Sequence, residues 1–172
     1  MKKYKLEIIV FLSGAIGMGL ELIAARVLSP YVGSSNVVWT SIIGIILASM
    51  SIGYWIGGQK ADTNAGLDSI SKILLMAALL TSIIPVLEII LVRNIAELIQ
   101  NLIIAAVISA IITFSIPSFI LAMISPFVVK IKSNASKEIG TVSGRISALS
   151  TIGSIVRNIF NGVYFNTTYW SK

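Results

Sequence analysis

The chain contains neither cysteine nor histidine in its 172 residues. Without cysteine there is no disulfide framework and no thiolate metal site. Without histidine there is no Ser/His or Cys/His catalytic pair. Any proton chemistry falls to Asp, Glu, Lys or Tyr. Charge is scarce too: only 12% of residues are charged while 56% are hydrophobic, against roughly 25% charged in a soluble domain. A soluble helical core of this length would leave too much apolar surface in water. The composition implies an integral membrane protein with the lipid bilayer as its first partner.

The charge that is present follows a pattern. A formal net charge of +6 invites a nucleic-acid reading, but the positions argue otherwise. Lys2, Lys3 and Lys5 precede the first apolar run, Lys60 and Lys72 follow the second, and Lys130, Lys132, Lys137 and Arg145 follow the fourth. The alternate flanks hold only Arg26, Arg93 and Lys172. This is the positive-inside alternation. It implies no nucleic-acid partner, and it predicts a cytoplasmic (plasma) membrane protein with its N-terminus inside and its C-terminus outside. The opening MKKYK and the run behind it are too long for a secretory leader, and Glu21 and Arg26 replace a small-residue cleavage site. An uncleaved first helix is expected.

Five apolar runs, 6–28, 39–57, 73–92, 102–129 and 146–165, approach the roughly 20 residues that cross a bilayer as a helix. The expected fold class is therefore an all-α integral membrane bundle, with 1–172 as a single transmembrane domain. Pro30 is expected to end the first run, while Pro85, Pro117 and Pro126 lie inside later ones and should kink them. The fourth run is read as one helix bent near Pro117, the alternative being a helix plus a short interfacial piece. Residues 31–38 and 58–71 read as turn-rich loops, and 133–144 as a basic linker.

In hydrocarbon, helices associate through close packing and hydrogen bonds, so small and hydroxyl residues mark buried faces. Gly14, Gly17, Glu21 and Ala24 share one face of the first helix by their three- and four-residue spacing. Gly44 belongs to a similar stripe on the second helix, where Gly53 and Gly57 form a GxxxG contact motif. On the fifth helix Ser147, Ser150, Ser154, Arg157 and Asn161 form a polar stripe, with Thr151 and Asn158 beside it. Glu21 lies about 22 Å, and Arg157 about 17 Å, from the inner ends of their helices. A Glu21–Arg157 ion pair is the expected arrangement, with Glu88 the competing partner for Arg157. Such a pair would pin helices together; the alternative is a polar ligand or ion site built from Glu21, Arg157, Glu88, Asn158, Asn161 and Ser154. Arg26, about 140° further round its helix than Glu21, is expected to reach the outer headgroups.

The segment FLSGAIGMGLELIAARVLSPYVGSSNVVWTSIIGIILASMSIGYWIGGQKAD at 11–62 carries a pattern of the form SGA…LE…AAR-L-P-Y-G-S…WTS-IG…G-W-GG…AD. In this it resembles the N-terminal membrane region of the fused MFS/spermidine synthase-like proteins. PSFILAMISPFVV at 117–129 and GRISALSTIGSIV at 144–156 are similar to that family's fourth and fifth helices. The resemblance implies part of a major-facilitator half, joined in many members to a soluble aminopropyltransferase domain. No glycine-rich strand-to-helix loop and no paired acidic residues for a polyamine occur here, so that soluble domain is expected to be absent. Thr63 also stands where the loop between helices two and three of major facilitators carries a basic residue. After GSIV the chain departs from the family with Arg157-Asn158 in place of a small residue.

Two functions follow as expectations. One is a non-catalytic membrane module that anchors or assembles with a partner, either a homo-oligomer, a separate synthase or another membrane protein. The other is an oligomerising half-transporter in which Glu21 and Glu88 offer negative charge to a small cationic solute such as a polyamine. Five spans match poorly with the repeats from which transporters are built. No nucleophile–base constellation is readable, and no cofactor or metal site is implied.

Overall fold

The computed structural model describes residues 2–134 and 138–169; Lys137 and Lys172 of the flanking charges lie outside them. Every regular element among the described residues is helical. They are α1 (Lys2–Val32), α2 (Asn36–Asn64), α3 (Leu67–Leu87), a π-helical turn (Glu88–Val92) continuing into α4 (Arg93–Leu98), α5 (Leu102–Ala122), α6 (Ile124–Ser133) and α7 (Ile139–Tyr169). A segment in lipid must satisfy its own backbone, which a helix does internally. Five continuous helical stretches are long and apolar enough to cross a membrane: Tyr4–Val32, Asn36–Asn64, Leu67–Leu98, Leu102–Ser133 and Ile139–Asn161. The protein is an all-α membrane bundle.

The helices overrun the apolar runs at both ends. Residues 58–64 and 67–71 are helical, so the expected loop shrinks to Ala65 and Gly66. The polar residues there solvate helix ends that project beyond the hydrocarbon; hydropathy marks where lipid stops, not where the helix does. Helix α1 likewise passes through Pro30, which sits in its last turn. The chain turns instead at Gly33, whose φ of 79° lies in the left-handed region where glycine alone is unstrained. Ser35 then caps α2, its side chain accepting from the Val38 N–H at 3.3 Å.

The fourth span is also interrupted in a different place from that expected. Helix α5 passes through Pro117 and stops at Met123, whose N–H reaches back to the Ile120 carbonyl at 3.2 Å. The break comes from Pro126, which cannot donate to the carbonyl four residues earlier. Placed in the first turn of α6, Pro126 occupies a position where no N–H is needed. In the third span, Pro85 stays within α3 and the π-helical turn follows three residues later.

Helix α5 is the centre of the bundle, packed by α1, α2 and α3. Its buried face runs through Ala105, Ala106, Ser109, Ala110, Thr113 and Phe114, small enough for neighbours to approach closely. On the outside, Leu75, Leu79, Ile83, Val86 and Ile90 leave one face of the third span exposed. Such a surface is a liability in water and a matched one in hydrocarbon.

Candidate functional site

Two helix pairs shape the site. In the first, α1 and α7 run parallel: Glu7 meets Arg145 at 3.2 Å, and twelve residues on in each helix Gly19 meets Arg157. Between these points the helices are in backbone contact, with Gly14 against the Ser150 carbonyl and Gly153 against the Phe11 carbonyl. In the second pair, α2 runs parallel to α5 and α6. Gly53 packs on the Phe119 carbonyl, and a Cβ at Gly57 would lie 2.9 Å from the Met123 Cα. The broken backbone at Met123 is thus the surface that the GxxxG motif meets.

Among the described residues, helices α2 and α7 themselves do not pack along their length. A cleft runs between them, floored by α1 and the α5–α6 junction. It holds a cavity of about 190 Å³ whose wall includes Gly14, Gly17 and Glu21 from α1, Tyr54 from α2 and Ser150 and Ser154 from α7. Tyr54 and Thr151 line it and are exposed at the surface, so the cavity opens to the outside of the bundle. Glu21 lies roughly 28 Å along an α1 of roughly 45 Å, inside a membrane-crossing stretch.

A larger cavity, about 450 Å³, adjoins the first and shares Tyr54 and Ser125 with it. Its wall includes Ser143 and Ser147 of α7 and, at the basic end of the bundle, Asp62 and Lys130. The last two form an ion pair at 2.7 Å. Nearby in the fold, Lys132 meets Glu7 at 2.6 Å with side chains only 15% and 11% exposed. With Arg145, this network ties α1, α6 and α7 together.

The structure brings Gly14, Gly17, Glu21 and Ser154 to one cavity. It does not join Glu21 to Arg157: no ion pair among the described residues involves either side chain or Glu88. The expected pair fails on azimuth. Arg157 lies at nearly the height of Glu21 but packs on Gly19, and two residues along an α-helix turn the face by about 200°. Glu88 sits half-buried in the π-helical turn, Asn158 is exposed and Asn161 half-buried, and none of them lines either cavity. Gly44 is a further correction, since a Cβ there would meet open space. Gly17 is loosely packed, the nearest neighbour of its Cβ position being the Met50 Sδ-methyl carbon at 3.7 Å.

Sequence reading missed Tyr54 and the Glu7–Lys132–Arg145 network. A tyrosine between Gly53 and Gly57 was a visible signal, because it is the polar member of a small-residue helix. For Glu7, the signal was a carboxylate set just inside a lysine-rich flank. Chemically, the arrangement offers one carboxylate and several hydroxyls at membrane depth, in a cleft open between two helices. No protein-family model matches the sequence, no curated protein matches it, and no solved structure matches the fold.

Proposed function

We propose that the chain is a non-catalytic membrane module that assembles with a partner through the cleft between α2 and α7. The observation that carries this reading is the polar lining of an uncovered cleft within the membrane-crossing part of the bundle. Tyr54 and Thr151 are exposed there beside Glu21, and Ser147 is exposed in the adjoining cavity. Hydroxyls and a carboxylate facing lipid tails cost free energy, and further helices laid over the cleft remove that cost. A second copy of the chain is the simplest source of those helices. The resemblance to the membrane part of spermidine synthase-like proteins supports the same reading and adds a separate synthase as another partner. The basic flanks support a plasma-membrane orientation with the N-terminus inside.

Because the chain has no cysteine, single-cysteine variants report contacts without background. Thr151→Cys and Ser147→Cys, treated in native membranes with a bis-maleimide, are expected to give a crosslinked species of twice the chain mass or a crosslink to an identified synthase or membrane protein. Leu79→Cys, on the exposed apolar face of α3, is the control. Crosslinking at Thr151 and Ser147 no stronger than at Leu79 rejects the assembly.

A further inference from the structure

We infer that the cavity beside Glu21 is a binding site for a small organic cation with a primary ammonium head, reached from the basic end of the bundle. This goes beyond assembly with a partner and stands without it, because every residue used belongs to one chain. The sign of the charge comes first. Among the described residues, Glu21 is the sole carboxylate on the cavity wall, and no lysine or arginine lines it. A carboxylate at this depth is stabilised by a positive charge brought to it.

The hydroxyls sharpen the choice of ligand. Ser13 Oγ donates to the Val10 carbonyl at 2.9 Å, and Thr151 Oγ1 donates to Ser147 O at 3.0 Å. Ser154 Oγ donates to Gly14 O at 3.0 Å, with Ser150 O at 3.1 Å beside it. Their hydrogens are committed to the backbone, so these three hydroxyls present lone pairs to the cavity. With the carboxylate, they set fixed acceptors on the wall, and the hydroxyls of Tyr54, Ser125 and Ser150, which also line it, can turn to accept as well. A primary ammonium is its complement, carrying three N–H donors and no acceptor; a quaternary ammonium carries none.

Size and access agree. A cavity of about 190 Å³ is several times what a single water needs, so it admits a small organic group. A bare divalent metal ion would need about six or more oxygens drawn close around it, and here one carboxylate is offered. Tyr54 and Ser125, common to both cavities, mark the passage towards the Asp62–Lys130 pair. The ammonium head therefore sits at Glu21, and its carbon tail extends past Ser125.

The test is calorimetric titration of the full chain in detergent with n-butylammonium chloride at constant ionic strength, beside tetramethylammonium and sodium chlorides. Saturable binding of butylammonium is expected. Glu21→Gln should weaken it about tenfold or more, the scale of a charge-assisted hydrogen bond, and tetramethylammonium should bind at least several-fold more weakly. Gly17→Leu supplies a second route, since it keeps the carboxylate and fills the loosely packed space beside Met50; it should abolish binding. Absence of saturable binding to the wild-type chain overturns the site. So does unchanged affinity in Glu21→Gln or Gly17→Leu, or equal affinity for tetramethylammonium.

Discussion

Glu7 and Glu21 stand on the same helix, roughly 20 Å apart, and meet opposite surroundings. Glu7 lies at the basic end, with Lys132 at 2.6 Å and Arg145 at 3.2 Å. Glu21 lies among hydroxyls, methionine and tyrosine, with no cation among the described residues of its cavity wall. A carboxylate held by two cations from other helices has its charge consumed in joining them. One that faces a cavity leaves its charge available to something that arrives. The pair separates a fastening role from a receiving one within a single helix.

Removing each charge in turn tests that separation. Glu7→Gln should have the largest effect, lowering stability in detergent by about 3 kcal/mol, because it strands Lys132 in a poorly exposed place. Glu21→Gln, measured by the same unfolding titration, should leave stability nearly unchanged. Equal losses in the two variants would erase the distinction. A smaller effect is expected at the helix seams: Gly153→Ala should cost about 2 kcal/mol by pressing a methyl group into the Phe11 carbonyl. The matching change at Gly44, which faces open space, should instead stabilise α2 by up to about 1 kcal/mol. Among the ion-paired carboxylates, the smaller loss belongs to Asp62→Asn. Its pair with Lys130 is short, but Asp62 is 69% exposed, so less than about 1 kcal/mol should be lost. A loss as large as that of Glu7→Gln would show that exposure does not rank the two pairs.

Much of the architecture was legible in the residues, for identifiable reasons. Lipid forces a helical backbone, so apolar run length was enough to read five crossings. The three- and four-residue spacing put Gly14, Gly17 and Glu21 on one face, and the structure gives that face to a cavity. Spacing reports the face of one helix, however, and not which neighbour stands opposite. Glu21 and Arg157 were matched by height alone, and the register of α1 on α7 assigns Arg157 to Gly19 instead. The Glu7–Lys132 contact joins residues 125 positions apart, a distance at which no local pattern operates. Lysines in a membrane flank read as topology, which hid their second use as ion-pair partners. Helix ends failed for another reason: Gly, Asn and Asp in 58–71 suggested turns, while the helices continue into water on either side of Ala65 and Gly66.

The seam between α1 and α7 has a consequence for motion. Each helix places a glycine beneath a carbonyl of the other, Gly14 under Ser150 and Gly153 under Phe11. Two such notches, facing opposite ways, act as a key and its slot. Sliding one helix along the other by one turn, about 5.4 Å, would replace Gly153 beneath the Phe11 carbonyl with Leu149 or Arg157. The two helices are thus indexed to each other, and the Ser150–Ser154 wall keeps a fixed height relative to Glu21. Across the cleft, where α2 and α7 do not pack along their length, no such key joins the described residues. The width of the cleft is therefore the softer coordinate, and the level of its acceptors the stiff one.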